Sequence, residues 1–379
     1  MEPTVLVTYA TRYGSTEEVA QTIADTLRGI GIEAETQPVR NVGTLARYSA
    51  VVLGVPLYMG RMHKEAPIPH YTSQCPDQNS LCAPSVPRRN IVIVAWTITI
   101  LLSSVPNILW QETMHRGTPW LFYGKMILVL ALLAGAVFVL LLRPLAPYAA
   151  VFLAQLSFER WGQMATEVST LKQWFTGTWS RSMMGAQSSR LLATLGLIAV
   201  VCMLVKGRRR AFLQLAVPGA QAEPVWYLPI RRPTPWRRIG LPMAFLIALG
   251  TSTFVLIAGR PELARVRAAA PLLPLILRLA AVNAFSEEFS YRASLLATLR
   301  TAVGDRHALL LTAVFFGLAH YYGVPYGIVG VGMSGCLGYV LGRAMLESDG
   351  LLWPWLIHFL QDVVIFSFLA IGAVTPGGR

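Results

Sequence analysis

The sequence has little charge of either sign. Only 13% of its 379 residues are charged, whereas 54% are hydrophobic, and soluble domains carry roughly 25% charged residues. A wholly soluble protein is therefore excluded. We expect most of the chain to lie in a lipid bilayer, as a multi-pass protein of the cell membrane. Acidic residues are the scarcer kind, with 19 against 32 basic ones.

Basic residues gather in loops beside apolar segments. The densest clusters are Lys206–Arg210 and Arg231–Arg238, and the formal net charge is +13. Lys and Arg in such loops are typical of the cytoplasmic side of a membrane protein. The charge therefore indicates membrane orientation, and we expect no nucleic-acid partner. Arg88 and Arg89, just before the first apolar run, predict a cytoplasmic N-terminus.

Cysteine is also scarce, and the start of the chain does not look like a signal peptide. Met1–Arg12 has no apolar core of the kind a signal peptide needs, so internal spans are expected to direct insertion. The cysteines show no metal-binding spacing; they are Cys75, Cys82, Cys202 and Cys336.

Long apolar runs from residue 91 onward predict a mainly α-helical polytopic domain over residues 91–379. A crossing needs about 20 apolar residues, which gives about eight transmembrane helices. A ninth and weaker candidate, Leu145–Phe158, is short enough to be re-entrant or interfacial. The eight runs are Ile91–Trp110, Leu121–Leu142, Leu191–Val205, Leu241–Ala258, Pro271–Leu299, Ala308–Tyr322, Val324–Leu341 and Leu351–Ile371.

Residues 1–66 have the pattern of a soluble α/β segment. Strand, helix and strand alternate, which predicts a parallel sheet. Val19, Ile23 and Leu27 give the helix one apolar face. A linker rich in Pro and Ser follows at residues 67–90. The predicted elements are a strand in Thr4–Ala10, a helix in Ser15–Ile30, and strands in Ile32–Val39 and Ala50–Val55.

The loop between the first strand and the helix has the composition of an anion site. Hydroxyls and free N–H groups at a helix N-terminus bind phosphate, and the loop reads Thr11-Arg-Tyr-Gly-Ser-Thr16. Together with Val51–Gly60, it resembles the flavodoxin family. The resemblance implies FMN, with its phosphate held by Thr11, Tyr13, Gly14, Ser15 and Thr16. A flavodoxin-like sheet has five strands and this segment ends after three, so we expect a truncated flavodoxin-like segment that either binds FMN or is a fused fragment.

Three of the late apolar runs carry ionisable residues. Glu287 and Glu288 are adjacent in the first run, His320 ends the second, and His358 and Asp362 lie in the third. Ionisable side chains at bilayer depth are costly and usually functional. These residues are therefore candidates for one site inside the membrane.

Helical spacing suggests how the charges pair. Glu288 and Arg292 are four residues apart with the acid first, the favourable order for an ion pair on a helix. Glu287 lies about 100° further around the axis, so Arg292 cannot serve both carboxylates equally. We expect Glu287 to be the less compensated carboxylate and the general base. His358 and Asp362 are also four apart, so Asp362 is expected to orient the imidazole.

The three motifs together resemble the CAAX-protease and bacteriocin-processing family (CPBP, or Abi) of intramembrane endopeptidases. The resemblance covers about Leu241–Ile371. It implies a protease similar to the type II CAAX prenyl endopeptidase of CAAX-box protein maturation, with the lipid bilayer and a peptide or prenylated-protein substrate as partners. The motifs are Glu287-Glu288-Phe-Ser-Tyr-Arg292, Phe316-Gly-Leu-Ala-His320 and His358-Phe-Leu-Gln-Asp362.

The resemblance also implies the catalytic roles. Glu287 would deprotonate a water with the help of His320, and His358 would stabilise the oxyanion. Arg292 would hold Glu288 rather than touch the substrate. The family tolerates Asn at the last position, and here the residue is Asp362.

Other readings of the same residues stay open. Two His and two Glu could bind a divalent metal, although the His-Glu-x-x-His pattern is missing and Arg292 disfavours a cation. The intramembrane charges would also suit a non-enzymatic transport or immunity protein. The flavodoxin-like segment raises the third alternative, a membrane-tethered FMN oxidoreductase.

Overall fold

In a computed structural model, the chain forms two compact units, Met1–Pro84 and Ser85–Arg379. The structure describes residues 4–9, 15–42, 48–54, 57–58, 61–62, 88–115, 119–205, 211–224 and 230–374. Of the residues predicted to hold FMN, Thr11, Tyr13 and Gly14 lie outside this part, as do most of the 67–90 linker and the Lys206–Arg210 cluster.

The N-terminal unit contains a parallel sheet with one helix, as the sequence predicted. Strand β1 is central, so the order is β2-β1-β3, and both neighbours run parallel to it. A two-residue antiparallel pair follows, β4 with β5. The elements are β1 (Val5–Tyr9), α1 (Ser15–Gly29), β2 (Ala34–Pro38), β3 (Ala50–Gly54), β4 (Leu57–Tyr58) and β5 (Arg61–Met62).

Helix α1 packs on the sheet through a different face from the one predicted. Ala20 and Ala24 are buried, whereas Val19 is 58% exposed and Ile23 36% exposed. Of the predicted face, only Leu27 packs against the core of the unit. Alanine has no side chain beyond Cβ, so it allows a close approach of helix to sheet. The prediction of the buried face of α1 from its large apolar residues was therefore wrong.

The second unit is almost entirely helical. It also contains a two-residue strand pair, β6 (Gln221–Ala222) with β7 (Thr234–Pro235). Its helices are α2 (Arg88–Leu102), α3 (Val105–Met114), α4 (Pro119–Phe138), α5 (Ala146–Glu167), α6 (Ser169–Trp174), α7 (Trp179–Val205), α8 (Trp236–Gly259), α9 (Leu263–Ala269), α10 (Leu273–Glu288), α11 (Ser294–Val303), α12 (Asp305–Ala319), α13 (Ile328–Ser348) and α14 (Leu352–Ala373).

Within the described residues, six helical stretches are long and apolar enough to cross a membrane, and the bent pair α2–α3 would make seven. The six are α4, α7, α8, the 41-residue stretch Leu263–Val303, α13 and α14. All eight predicted runs fall on helices. The predicted run Ala308–Tyr322 is not among the six because α12 has only 15 residues. The weaker candidate, in α5, is not among them either, and the second half of α5 carries Glu159, Arg160 and Glu167.

Helix α7 begins earlier than its apolar run. The sequence placed the start of this span at Leu191, but the helix starts at Trp179. Its first turns are polar and contain Arg190, which hydropathy left outside the span. Arg190 consequently lies within the helix.

Two local features of the backbone determine the positions of the Glu287–Arg292 and Phe316–His320 motifs. A single π-helical turn, Phe289–Ala293, interrupts the helix between α10 and α11, and such turns are frequent at functional sites. Helices α12 and α13 meet at backbone contact, since a Cβ on Gly317 would lie 2.6 Å from the carbonyl oxygen of Val331. Only glycine fits there, and His320 follows three residues later.

Candidate functional site

The structure brings the six predicted catalytic residues into one cluster. Glu287 and Glu288 end α10, and Arg292 lies in the π-helical turn that follows. His320 caps α12, while His358 and Asp362 lie in α14. The site is therefore built from three segments that are far apart in sequence.

Glu288 is the buried anchor of the cluster. Its Oε1 atom accepts a hydrogen bond from Arg292 Nη1, and both side chains are fully buried. The Arg292 guanidinium also lies over the Phe316 ring, with its Cζ atom 3.9 Å from the ring centroid. The expected Glu288–Arg292 ion pair is thus present. Removing one partner of such a buried pair leaves an uncompensated charge, at a cost of roughly 3–5 kcal/mol.

His358 is held by Glu288 rather than by Asp362, which corrects the sequence-based assignment. Its Nδ1 atom lies 2.6 Å from Glu288 Oε1. A carboxylate accepts hydrogen bonds, so Nδ1 is the donor. The Oδ1 atom of Asp362 lies 3.5 Å from His358 Nε2, while its Oδ2 accepts a hydrogen bond from Asn283 Nδ2 at 3.0 Å. Asp362 therefore lies beside the second ring nitrogen, and the hydrogen bond that fixes the ring comes from Glu288.

Glu287 has two differently employed oxygens. Its Oε1 atom accepts a hydrogen bond from Arg190 Nη1 at 2.7 Å. Its Oε2 atom lies 3.7 Å from His358 Nε2 and 3.9 Å from His320 Nε2. The prediction that Glu287 is the less compensated carboxylate is wrong, because each glutamate has its own arginine. The partner of Glu287 comes from α7, and spacing along α10 could not show it.

His320 presents a defined nitrogen to this cluster. Its Nδ1 atom lies 2.8 Å from the carbonyl oxygen of Phe316, and a carbonyl only accepts, so Nδ1 carries the proton. In the neutral ring, Nε2 is then an acceptor. That acceptor faces Glu287, and 32% of the His320 side chain is exposed. Water or a substrate can consequently reach the site from the side of His320.

A polar chain connects α7 to α14 through α10. Arg190 Nη1 donates to Asn283 Oδ1 at 2.6 Å, and Gln187 Nε2 donates to the same oxygen at 3.0 Å. Asn283 passes the connection on to Asp362. Gln187, Arg190 and Asn283 were not among the site residues predicted from the sequence. Asn283 could have been found from the sequence, because it lies four residues before Glu287 and therefore on the same face of α10.

The FMN expectation concerns the N-terminal unit, whereas the metal alternative concerns the same His and Glu side chains as the cluster. Thr16, in the first turn of α1, lies at the carboxyl ends of β1 and β3, since a Cβ on Gly54 would be 3.2 Å from Thr16 Cγ2. In flavodoxin-like sheets FMN binds at this β1/β3 position, and Thr16 is the one predicted FMN residue whose side chain the structure describes. Among the described residues, no three His, Cys, Asp or Glu side chains are grouped to hold a metal ion.

Two segments of the chain match known families, which confirms both resemblances. Residues 269–364 match the family described as type II CAAX prenyl endopeptidase Rce1-like, and residues 6–67 match the flavodoxin domain. No curated protein and no solved structure gives a significant match. All six predicted catalytic residues lie inside the first match, whereas Arg190 lies outside it.

Proposed function

We propose that this chain, whose residues 269–364 resemble a CAAX prenyl endopeptidase of type II, is an intramembrane endopeptidase. Its substrate class is a lipidated or membrane-associated peptide. One observation carries the proposal. A single carboxylate oxygen, Glu287 Oε2, faces ring nitrogens of both His358 and His320 at 3.7 and 3.9 Å.

Those distances suit a water molecule bound beside all three groups. A water that makes hydrogen bonds of about 2.8 Å to two atoms can bridge a pair separated by roughly 4 Å. Glu287 Oε2 and His320 Nε2 both act as acceptors for its two hydrogens. Glu287 then removes one proton as the water oxygen attacks the peptide carbonyl carbon.

The charge that develops on the carbonyl oxygen needs a donor. His358 Nδ1 already donates to Glu288, so a proton on Nε2 makes the ring an imidazolium that donates to the oxyanion. Breakdown of the tetrahedral intermediate breaks the C–N bond, and Glu287 returns its proton to the leaving amine. The products are a new carboxyl terminus and a free amine, with one water consumed.

The remaining residues position these groups. Glu288 and Arg292 hold His358 from the buried side, and Arg190 holds Oε1 of Glu287 so that Oε2 faces the histidines. Asp362 lies beside His358 Nε2 and stabilises the imidazolium form by its charge. We further propose that the protein spans the cell membrane with its N-terminus in the cytoplasm, as the basic loops predict.

The test is cleavage of peptide panels by the purified full chain in proteoliposomes. Matched prenylated and non-prenylated peptides are incubated with wild type and with Glu287→Gln, with and without chelator, and products are identified by mass spectrometry. We expect cleavage to fall about 10²–10⁴-fold in Glu287→Gln. Glu262→Gln is the matched control, because the Glu262 side chain is 73% exposed and, among the described residues, its ion-pair partner is Arg265, at 3.7 Å. Full activity of Glu287→Gln would refute the mechanism.

The same preparation separates the alternatives. A transport or immunity protein would show pH-dependent flux or protection that survives the loss of peptidase activity. FMN, if bound by the N-terminal unit, would supply redox chemistry, and purified protein would then show flavin absorbance. FMN binding stays a prediction from the flavodoxin resemblance. A colourless protein that takes up no added FMN would contradict it.

A further inference from the structure

We propose that a cavity on the α7 side of Glu287 binds a cationic side chain of the substrate, Lys or Arg, at a residue next to the cleaved bond. The cavity has a volume of about 200 Å³ and lies among α5, α7, α10 and the π-helical turn. This inference rests on the proposed peptidase function, and it names a feature of the peptide that the chain selects.

The cavity adjoins Glu287, the proposed general base, while His320 and His358 are not among its lining residues. Glu287 forms part of its wall, together with Arg190, Ser286 and Tyr291. A peptide whose carbonyl carbon lies beside Glu287 Oε2 therefore has a neighbouring side chain within reach of this space. The position is a side-chain subsite of the same active site.

The volume of the cavity limits the size of the substrate group that it can bind. Pockets for drug-sized ligands measure roughly 300–1,000 Å³, so about 200 Å³ accommodates one amino-acid side chain. An isoprenoid chain is both larger and apolar. The lining includes Glu159, Ser189, Arg190 and Ser286, and these polar side chains favour a polar occupant.

The charges in the wall leave a negative surplus. The wall contains two carboxylates, Glu159 and Glu287, and one guanidinium, Arg190. Arg190 Nη1 already donates to Glu287 and to Asn283. Glu159 Oε1 accepts a hydrogen bond from Gln155 Nε2 at 3.1 Å. Arg190 and Lys125 are near enough to act on Glu159 electrostatically, but no described cation lies within ion-pair distance of it. One positive charge on the substrate would balance the wall.

An unpartnered hydroxyl supports a polar occupant. Ser286 is 3% exposed, and its Oγ atom has no hydrogen-bond partner among the described residues. Buried polar groups are nearly always paired, and Ser286 borders this cavity. A Lys ammonium or an Arg guanidinium has several N–H groups, so it can donate to Ser286 Oγ and Glu159 together.

The test measures charge selectivity in the full chain reconstituted in proteoliposomes. In a cleaved prenylated peptide, each position flanking the scissile bond is replaced in turn by Lys, norleucine and Glu. We expect wild type to prefer Lys over norleucine at least about tenfold at one position, since one ion pair in a partly buried site supplies that much. Glu159→Gln should reduce the ratio to about one, and Glu159→Arg should favour Glu over Lys.

Controls separate the outcomes. Glu167→Gln, on the same helix but paired with Lys172 away from the cavity, should keep the wild-type ratio. Thermal unfolding of Glu159→Gln shows whether the variant is folded, and Ser286→Ala offers a second test with a smaller loss of the ratio. Cleavage that depends on Glu287 but shows no preference for Lys at any position overturns this inference alone. Absence of any cleavage that depends on Glu287 overturns both proposals.

Discussion

The two units of the chain expose apolar side chains for opposite reasons. In the N-terminal unit, Val51, Val52 and Leu53 of β3 are 36–41% exposed, because a three-stranded sheet with one described helix covers little of itself. In the second unit, Ser85–Arg379, which we call the membrane unit, exposed apolar residues lie on helices suited to lipid, while Glu288 and Arg292 are fully buried. An exposed valine thus marks an incomplete core in one unit and a lipid-facing surface in the other. Function is expected where buried polarity is concentrated, in the membrane unit.

The largest expected effect falls on catalysis in the membrane unit. Glu287→Gln and His320→Ala should each reduce cleavage by about 10²–10⁴-fold. The double variant should be little worse than either single one, because both residues act on one water and such effects are not additive. Rates measured with one peptide in proteoliposomes check this. A double variant whose loss equals the product of the single losses would show that the residues act independently.

The second largest effect is expected on stability, when the buried Glu288–Arg292 ion pair is broken. Arg292→Met should destabilise the membrane unit by roughly 3–5 kcal/mol, because Glu288 is left as an unpaired buried charge. Denaturation in detergent, followed by tryptophan fluorescence, measures the change. The double variant Glu288→Gln with Arg292→Met should recover most of this stability but not activity, since His358 loses its carboxylate partner. Equal stability of wild type and Arg292→Met would show that the pair contributes nothing.

A smaller effect is expected in the N-terminal unit, and it shows whether the two units depend on each other. Leu6 is fully buried in β1, so Leu6→Ala should cost roughly 2–5 kcal/mol in that unit. Limited proteolysis should then cut the N-terminal unit faster, while the cleavage rate of the membrane unit stays within about twofold. A proportionate loss of peptidase activity would mean that the two units work together.

The smallest effect is expected for a residue that acts through Glu287. Arg190→Gln should reduce kcat by about 10–100-fold, since misplacing a catalytic group by a fraction of an ångström costs this much. Arg190→Lys should recover part of the loss. With a peptide that has no charged residue next to the scissile bond, KM should change little, which separates positioning from general destabilisation. Wild-type kcat in Arg190→Gln would exclude the positioning role.

The features that could be predicted from the sequence are those that depend on residues close together in the chain. The strands lie within a residue or two of their predicted bounds, because apolar alternation and helix signals are local. The pairing of Glu288 with Arg292 followed from one turn of helix. Arg190 could not be found this way, because it contacts Glu287 from a helix 97 positions away, and because hydropathy excluded it from its own span. The partner of His358 was misassigned for the same reason, since Glu288 is 70 positions away.

The shortness of α12 has a consequence for the host membrane. Its 15 residues span about 22 Å at 1.5 Å per residue, against a hydrocarbon core of roughly 30 Å. His320 at its end is therefore expected below the headgroups, so a thinner bilayer would bring it closer to the membrane surface. Bilayers with longer acyl chains should then slow peptide hydrolysis without any change in the protein, so membrane thickness would regulate this activity.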